Sequence, residues 1–182
     1  MAKMRLRAAY GLAAAALLAG CGGGTSLSTN PPAPCPRITI LADGADLTRH
    51  RDGAVPDLAS MTSDARLIGF NANCDYTRRR DGVSVRISAI FDVERGPAAT
   101  APRVSLPWFI AVTDAGDGQI IERRDYVTPA EFAANANRVR IASTPVVLSF
   151  PAEERLVENH NVRLSFQLTP DDLERNRRRG PR

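Results

Sequence analysis

Residues 83–94, Val-Ser-Val-Arg-Ile-Ser-Ala-Ile-Phe-Asp-Val-Glu, constrain this chain more than any other stretch. Val83, Val85, Ile87, Ala89, Phe91 and Val93 fall on one side of a two-residue repeat, and Ser84, Arg86, Ser88, Asp92 and Glu94 on the other. Side chains alternate across a strand, so this pattern makes one long half-buried strand, with Ile90 the only misfit. Just before it, Ile68, Phe70, Ala72, Cys74 and Tyr76 alternate with Leu67, Gly69, Asn71, Asn73 and Asp75. The two runs are separated by Thr77-Arg78-Arg79-Arg80-Asp81-Gly82, a turn-forming cluster, and so predict a hairpin.

The same period continues downstream. Val104, Leu106, Trp108, Ile110 and Val112 share one face of a third long strand, where Pro107 removes a ladder donor and points to an edge or a bulge. Asp114-Ala115-Gly116-Asp117-Gly118 turns the chain, and residues 119–127 return as its partner. Thr128-Pro129-Ala130-Glu131 has the form of a capping box with proline at the first helical position, which predicts one or two helical turns before Asn137. Residues 139–141, 146–150 and 162–168 read as strands. Thr169-Pro170-Asp171-Asp172 caps a short closing helix to about Arg177. Ile38 to Leu41 forms the first strand, and residues 42–63 a long crossing loop with a helical turn. Strands joined by turns, with no helix between consecutive ones, predict a mainly β fold: an antiparallel β-sandwich, immunoglobulin-like or similar, with short helical turns and a short C-terminal helix. A small β-barrel is the alternative.

Upstream of this domain the chain has a different character. Lys3, Arg5 and Arg7 precede an apolar run from Ala8 to Ala19, which is short for a spanning helix and suits an export signal. The run ends in Leu18-Ala19-Gly20-Cys21, a lipobox, which predicts cleavage before Cys21 and acylation of that cysteine. A buried methylene contributes about 0.8 kcal/mol and one chain holds only marginally, so stable anchoring takes two or more. The N-terminus resembles those of bacterial lipoproteins, which carry a diacylglyceryl group and usually a third chain. Position 22 is Gly rather than the Asp of inner-membrane retention, and by that resemblance the outer membrane is favoured over the inner. Gly22 to Pro34, glycine-rich and then proline-rich, is a tether. The organisation is therefore a signal peptide over 1–20, an acylated cysteine and tether over 21–34, one sandwich domain over 35–176, and an Arg-rich tail over 177–182.

Charge follows the same division. The whole-chain pI of 9.4 includes the signal. Losing Lys3, Arg5 and Arg7 reduces 24 basic residues to 21, against 20 acidic ones. Arg175, Arg177, Arg178, Arg179 and Arg182 crowd the C-terminus, so residues 35–174 hold 16 Arg against 20 acids, a net −4. The body is mildly acidic and the tail strongly basic.

Of three cysteines, Cys35 and Cys74 remain once Cys21 is acylated. An oxidising envelope and an even remainder predict a disulfide between them. Its geometry is natural if the first two strands pair antiparallel, because the start of one then lies beside the end of the other. Cys35 shares the parity of Arg37 and Thr39, so Pro36 has to bend the chain to aim it inward.

Motifs that carry chemistry are missing from the sequence. It contains no Gly-x-Ser-x-Gly elbow, no His-Glu-x-x-His, no Cys-x-x-Cys and no phosphate-cradling glycine loop. His50 and His160 have no metal-spaced partner and read as surface residues. Asp114 and Asp117 fit a hairpin turn better than a calcium loop, Asp171-Asp172 fit a helix cap, and Arg78-Arg79-Arg80 a solvated turn. No cofactor or metal is expected, and no enzyme activity. The tail is the exception: five arginines in eight residues suit bidentate contact with phosphate-bearing surfaces, or else form a solubilising end. Nucleic acid is not an expected partner in the periplasm.

Cys35-Pro36-Arg37, the Gly96-Pro97 strand end, Phe109-Ile110-Ala111-Val112-Thr113-Asp114, and Phe166-Gln167-Leu168-Thr169-Pro170 through Asn176-Arg177 resemble a group of uncharacterised Gram-negative envelope lipoproteins. The resemblance covers most of the mature chain. Its motifs are strands, turns and caps, so it implies a location and no catalytic residues. The expected function is that of a lipid-anchored, periplasm-facing module, non-catalytic and interacting or structural, held to the membrane by its N-terminal lipid. An envelope protein complex, or an anionic lipid or glycan, is the expected partner. The alternative is a sandwich binding a small ligand or polysaccharide in a pocket lined by Trp108 and Tyr126. Only 5% of the chain is aromatic, which weighs against carbohydrate stacking.

Overall fold

A computed structural model describes residues 31–180 and residue 182. Its nine strands are β1 (Arg37–Ile40), β2 (Asp46–His50), β3 (Met61–Tyr76), β4 (Gly82–Arg95), β5 (Arg103–Asp114), β6 (Ile120–Glu131), β7 (Arg138–Ala142), β8 (Val146–Pro151) and β9 (His160–Phe166). Helix α1 (Glu154–Glu158) precedes β9 and α2 (Pro170–Arg179) closes the chain. The strands form two sheets, one ordered β1-β9-β5-β6 and the other β2-β3-β4-β7, with β8 also on β4. One sheet curls into a half-barrel. All pairings are antiparallel except β1 with β9. The fold is the expected mainly β sandwich.

The alternation on β4 is realised as read: Val83, Val85, Ile87, Ala89 and Phe91 are fully buried. On β3 the pattern changes phase. Ala65 and Leu67 face the core, a bulge falls at Ile68, and Phe70, Cys74 and Tyr76 then take the inward side. Ile68, expected inward with Phe70, is instead exposed, because the bulge inserts one residue and turns its side chain out. Both β7 and β8 pair with β4, on its two halves. Ser143 fills the gap between them: its Oγ accepts from Ala89 N at 3.0 Å, and its own N–H donates to Ala89 O at 2.8 Å. The kink at Thr144-Pro145 therefore costs the sheet no backbone partner.

Phe91, Trp108 and Phe166 meet at the centre, with Trp108 edge-on to Phe91 at 5.8 Å and Phe166 at 5.5 Å from the same ring. The indole N–H of Trp108 donates to Thr128 Oγ1 at 2.9 Å in the core. That contact explains a correction. The stretch Thr128-Pro129-Ala130-Glu131 continues strand β6 and starts no helix. Thr128, Ala130 and Phe132 are buried at every second position, and the inward pull on them outweighs the local capping signal. Pro129 is tolerated because β6 lies at the edge of its sheet. Replacing Thr128 by Val should leave the Trp108 N–H buried and unpaired, at a cost of about 1–3 kcal/mol in denaturant unfolding. An unchanged midpoint would show that this hydrogen bond contributes nothing.

Pro107 lies on an inner strand, not an edge. Its carbonyl accepts from Gln167 N at 2.9 Å, just past the end of β9, so its missing donor faces a place where the ladder has stopped. In the region read as loop, Ala42–Gly44 form the helical turn and β2 is an additional strand. Gly44 is required there: a Cβ would lie 1.9 Å from Ser165 Oγ, so only glycine lets this turn rest on β9.

Candidate functional site

Cys21 and residues 1–20, read as an acylation site and a signal peptide, lie outside the described residues. Cys35 and Cys74 are bonded, with S–S at 2.02 Å and Cα atoms 5.8 Å apart. The strand pairing expected to bring them together is different, however. The first strand joins β9 in parallel, in one sheet, while Cys74 lies on β3 in the other. The bridge therefore staples the segment just before β1, in one sheet, to β3 in the other.

Charge is concentrated where α2 meets β2 and β3. Thr169 caps α2 reciprocally: its Oγ1 accepts from Asp172 N at 3.1 Å, and Asp172 Oδ2 accepts from Thr169 N at 3.2 Å. The helix is thereby aimed along β2. Asn176, buried on its inner side, donates to the carbonyls of Asp43 and Asp46, each at 2.9 Å. This places the arginines over carboxylates of the body. Arg175 pairs with Asp172, Arg177 with Asp43 at 3.1 Å, and Arg178 with Glu174 along the helix. Arg179 reaches Asp46 at 2.7 Å, and Arg182 spans Asp46 at 2.7 Å and Asp64 at 2.8 Å. Asp46 is buried, and Arg66 approaches it from β3 at 3.5 Å.

The tail, read as a phosphate-contacting or solubilising end, is engaged by the fold itself: the acidic body attracts its own basic end. Burial raises the Asp64 carboxyl, but hydrogen bonds from Arg182 and Thr48 outweigh this and hold it below the ordinary carboxylate range. Asp172 behaves alike, with burial opposed by Thr169 and by the charges of Arg49 and Arg175. The paired carboxylates raise Arg182 further, against the effect of its burial. Of the five tail arginines, Arg177 and Arg178 keep most of the side chain in solvent, at 63% and 64% exposure.

The cluster continues across the outer face of β2-β3-β4-β7. Register aligns Asp46, Arg66, Asp92 and Arg140 in one cross-strand row and Thr48, Asp64, Glu94 and Arg138 in the next. Signs alternate in the first row, a favourable arrangement. In the second, Asp64 opposes Glu94, and the repulsion is relieved from both ends. Arg182 holds Asp64, and Arg138 donates to Glu94 at 2.6 Å. Arg140 chelates Asp92 through two bonds and lowers its pKa. Between these rows lies an open groove of about 590 Å³. A ligand entering it has to exchange existing ion pairs.

The hollow beside Trp108 and Tyr126 is smaller, about 250 Å³, and Trp108 itself is buried in the core. His50 Nδ1 lies 3.1 Å from Ser60 Oγ, and His160 bonds the Leu156 carbonyl beside Phe150. Among the described residues, no group of three or more His, Cys, Asp or Glu side chains is arranged to hold a metal. Nor is any helix there long and apolar enough to cross a membrane.

Asp114 and Asp117 form the β5–β6 turn. Asp114 Oδ1 accepts from Gly118 N at 2.7 Å and Gln119 N at 3.1 Å. Asp117 binds Thr113 on β5 and Arg163 and Asn161 on β9, and the last two tie the turn to β9. Hydrogen bonds from Arg163 and Thr113 lower its pKa to about 2. A carboxylate depressed on folding stabilises the fold above its unfolded pKa, and that contribution is lost as pH falls through the folded value. The thermal midpoint should therefore fall between about pH 4 and pH 2, and Asp117→Asn should flatten that fall. Parallel profiles for the two proteins would remove Asp117 from the acid response. No family model, curated protein or solved structure matches the chain.

Proposed function

We propose that this chain is a lipid-anchored lipoprotein of the bacterial envelope whose sandwich faces the periplasm as a non-catalytic interaction or structural module, at the outer membrane rather than the inner. One observation carries the reading. A lipobox cysteine is joined by a short Gly/Pro tether to a domain whose two remaining cysteines are bonded to each other. A structural disulfide suits an oxidising compartment, which is where a lipobox delivers a chain. The tether holds the domain off the surface, with Arg177 and Arg178 available for lipid phosphates or an anionic glycan. The alternative, a ligand- or polysaccharide-binding sandwich, has the groove between Arg66, Arg138 and Arg140 in its support.

Cells fed a fatty-acid analogue should label the wild-type protein. Cys21→Ala should lose the label and accumulate as uncleaved precursor. A wild-type protein that is soluble, cleaved and unlabelled would end this reading.

A further inference from the structure

Strand β6 is the outer strand of its sheet over its whole length. The Phe132 N–H donates to the Pro102 carbonyl at 2.8 Å, which sets the phase of the β5–β6 ladder. Backbone groups alternate in direction along an antiparallel strand. Those of Glu122, Arg124, Tyr126, Thr128 and Ala130 therefore face β5, and those of Arg123, Asp125 and Val127 point away from it. The side chains that accompany these outward groups lie on the outer face. Val127 is 64% exposed, and Ile121, at a bulge opposite Val112 and Thr113, is 53% exposed. Arg123 and Asp125 are paired at 3.0 Å, and Arg123 lies 4.0 Å over the Phe109 ring.

Read along this edge, the outer-face sequence is Ile121, Arg123, Asp125, Val127: apolar, positive, negative, apolar. It is its own complement when reversed. We infer that β6 is a self-association edge, on which a second copy of this chain adds its own β6 antiparallel about a two-fold axis through Arg124. In that register Arg123 stands opposite Asp125 of the second copy, twice, and Ile121 opposite Val127 of the second copy, twice. The outward backbone groups of Arg123 and Asp125 meet in phase, so the added strand closes hydrogen bonds that the monomer leaves to water. A two-fold interface needs such self-complementarity. Charges on an edge strand ordinarily discourage pairing, whereas their order here favours one register and repels its neighbour, centred on Asp125, where Asp125 would meet Asp125. Arg124, nearest the axis, is turned aside by its own chain: it bonds Glu122 and the Val147 carbonyl. The pairing does not depend on the lipid anchor.

The test uses the full chain. Residues at the two-fold centre form a non-hydrogen-bonded pair with Cα atoms about 4.5 Å apart, within disulfide reach. Arg124→Cys should give a disulfide-linked dimer on mild oxidation, at least about tenfold more than Gly116→Cys at the exposed hairpin tip. Adding Asp125→Arg to Arg124→Cys places like charges opposite each other and should lower the yield at least about tenfold. Further addition of Arg123→Asp restores complementarity and should restore the dimer. Sedimentation of the unsubstituted chain in detergent should show a dimer that Asp125→Arg alone abolishes. The inference is overturned if Arg124→Cys yields no more dimer than Gly116→Cys, if Asp125→Arg changes nothing, or if position 124 links only to a different protein.

Discussion

Removal of Arg177–Arg182 should destabilise the domain by about 3 kcal/mol, although these residues follow the last strand and most of the closing helix. The deletion takes away Arg179 and Arg182, the two guanidinium groups at 2.7 Å from Asp46, and leaves the buried carboxylate with only Arg66 at 3.5 Å. Breaking a buried pair costs about 3–5 kcal/mol because the remaining charge keeps its desolvation penalty. Arg179 and Arg182 are themselves about a third exposed, which puts the effect at the lower end of that range. Asp64 also loses Arg182, so its repulsion from Glu94 is relieved only by Arg138 on Glu94 and by the Thr48 hydroxyl on Asp64. Denaturant unfolding of the truncated and full-length chains measures the difference. Arg179→Gln with Arg182→Gln should reproduce most of it with the backbone intact. Equal midpoints would mean that the tail is a solvated end, as its composition alone suggests.

Loss of the disulfide should have an effect at least as large. Cys35 and Cys74 close a loop of 39 residues, which stabilises the native state by about 4 kcal/mol in the chain-entropy account. The bridge also ties together two sheets that share no strand pairing. Its removal should free the entry of the chain and β1, which is held otherwise by β9. Cys35→Ala with Cys74→Ala should unfold at a lower denaturant concentration than the wild type, and reductant should shift the wild type to the same midpoint. A wild type indifferent to reductant would contradict the stapling role.

These two predictions also mark what the sequence reveals. The long hairpins are legible because an apolar-polar pair recurring in five of six successive steps, as from Val83 to Glu94, admits one secondary structure. The cap at Thr169 is legible because it is a local event, satisfied within four residues. The same local logic misleads at Thr128, where the partner that decides the matter, Trp108, is 20 positions away. Strand β2 escapes notice because Asp46-Leu47-Thr48-Arg49-His50 carries one apolar side chain, Leu47, and its Asp46 is buried on the outer face by arginines from the far end of the chain. The cysteine pairing is legible by elimination, but the strand pairing behind it is not, since parallel contact between β1 and β9 spans nearly the whole domain. For the tail, composition shows an excess of charge and is silent on its destination. That depends on Asn176 fixing α2 against β2, which no pattern within the helix announces.

The central claim, an anchored chain whose folded part matures outside the cytoplasm, is tested most directly by mass spectrometry of the protein taken from membranes without reductant. The predicted result is a mature chain that begins at Cys21, carries the mass of a diacylglyceryl group with or without a third acyl chain, and yields Cys35 and Cys74 in one linked peptide. A chain that still begins at Met1, or an unmodified Cys21 with two free thiols at Cys35 and Cys74, would contradict it.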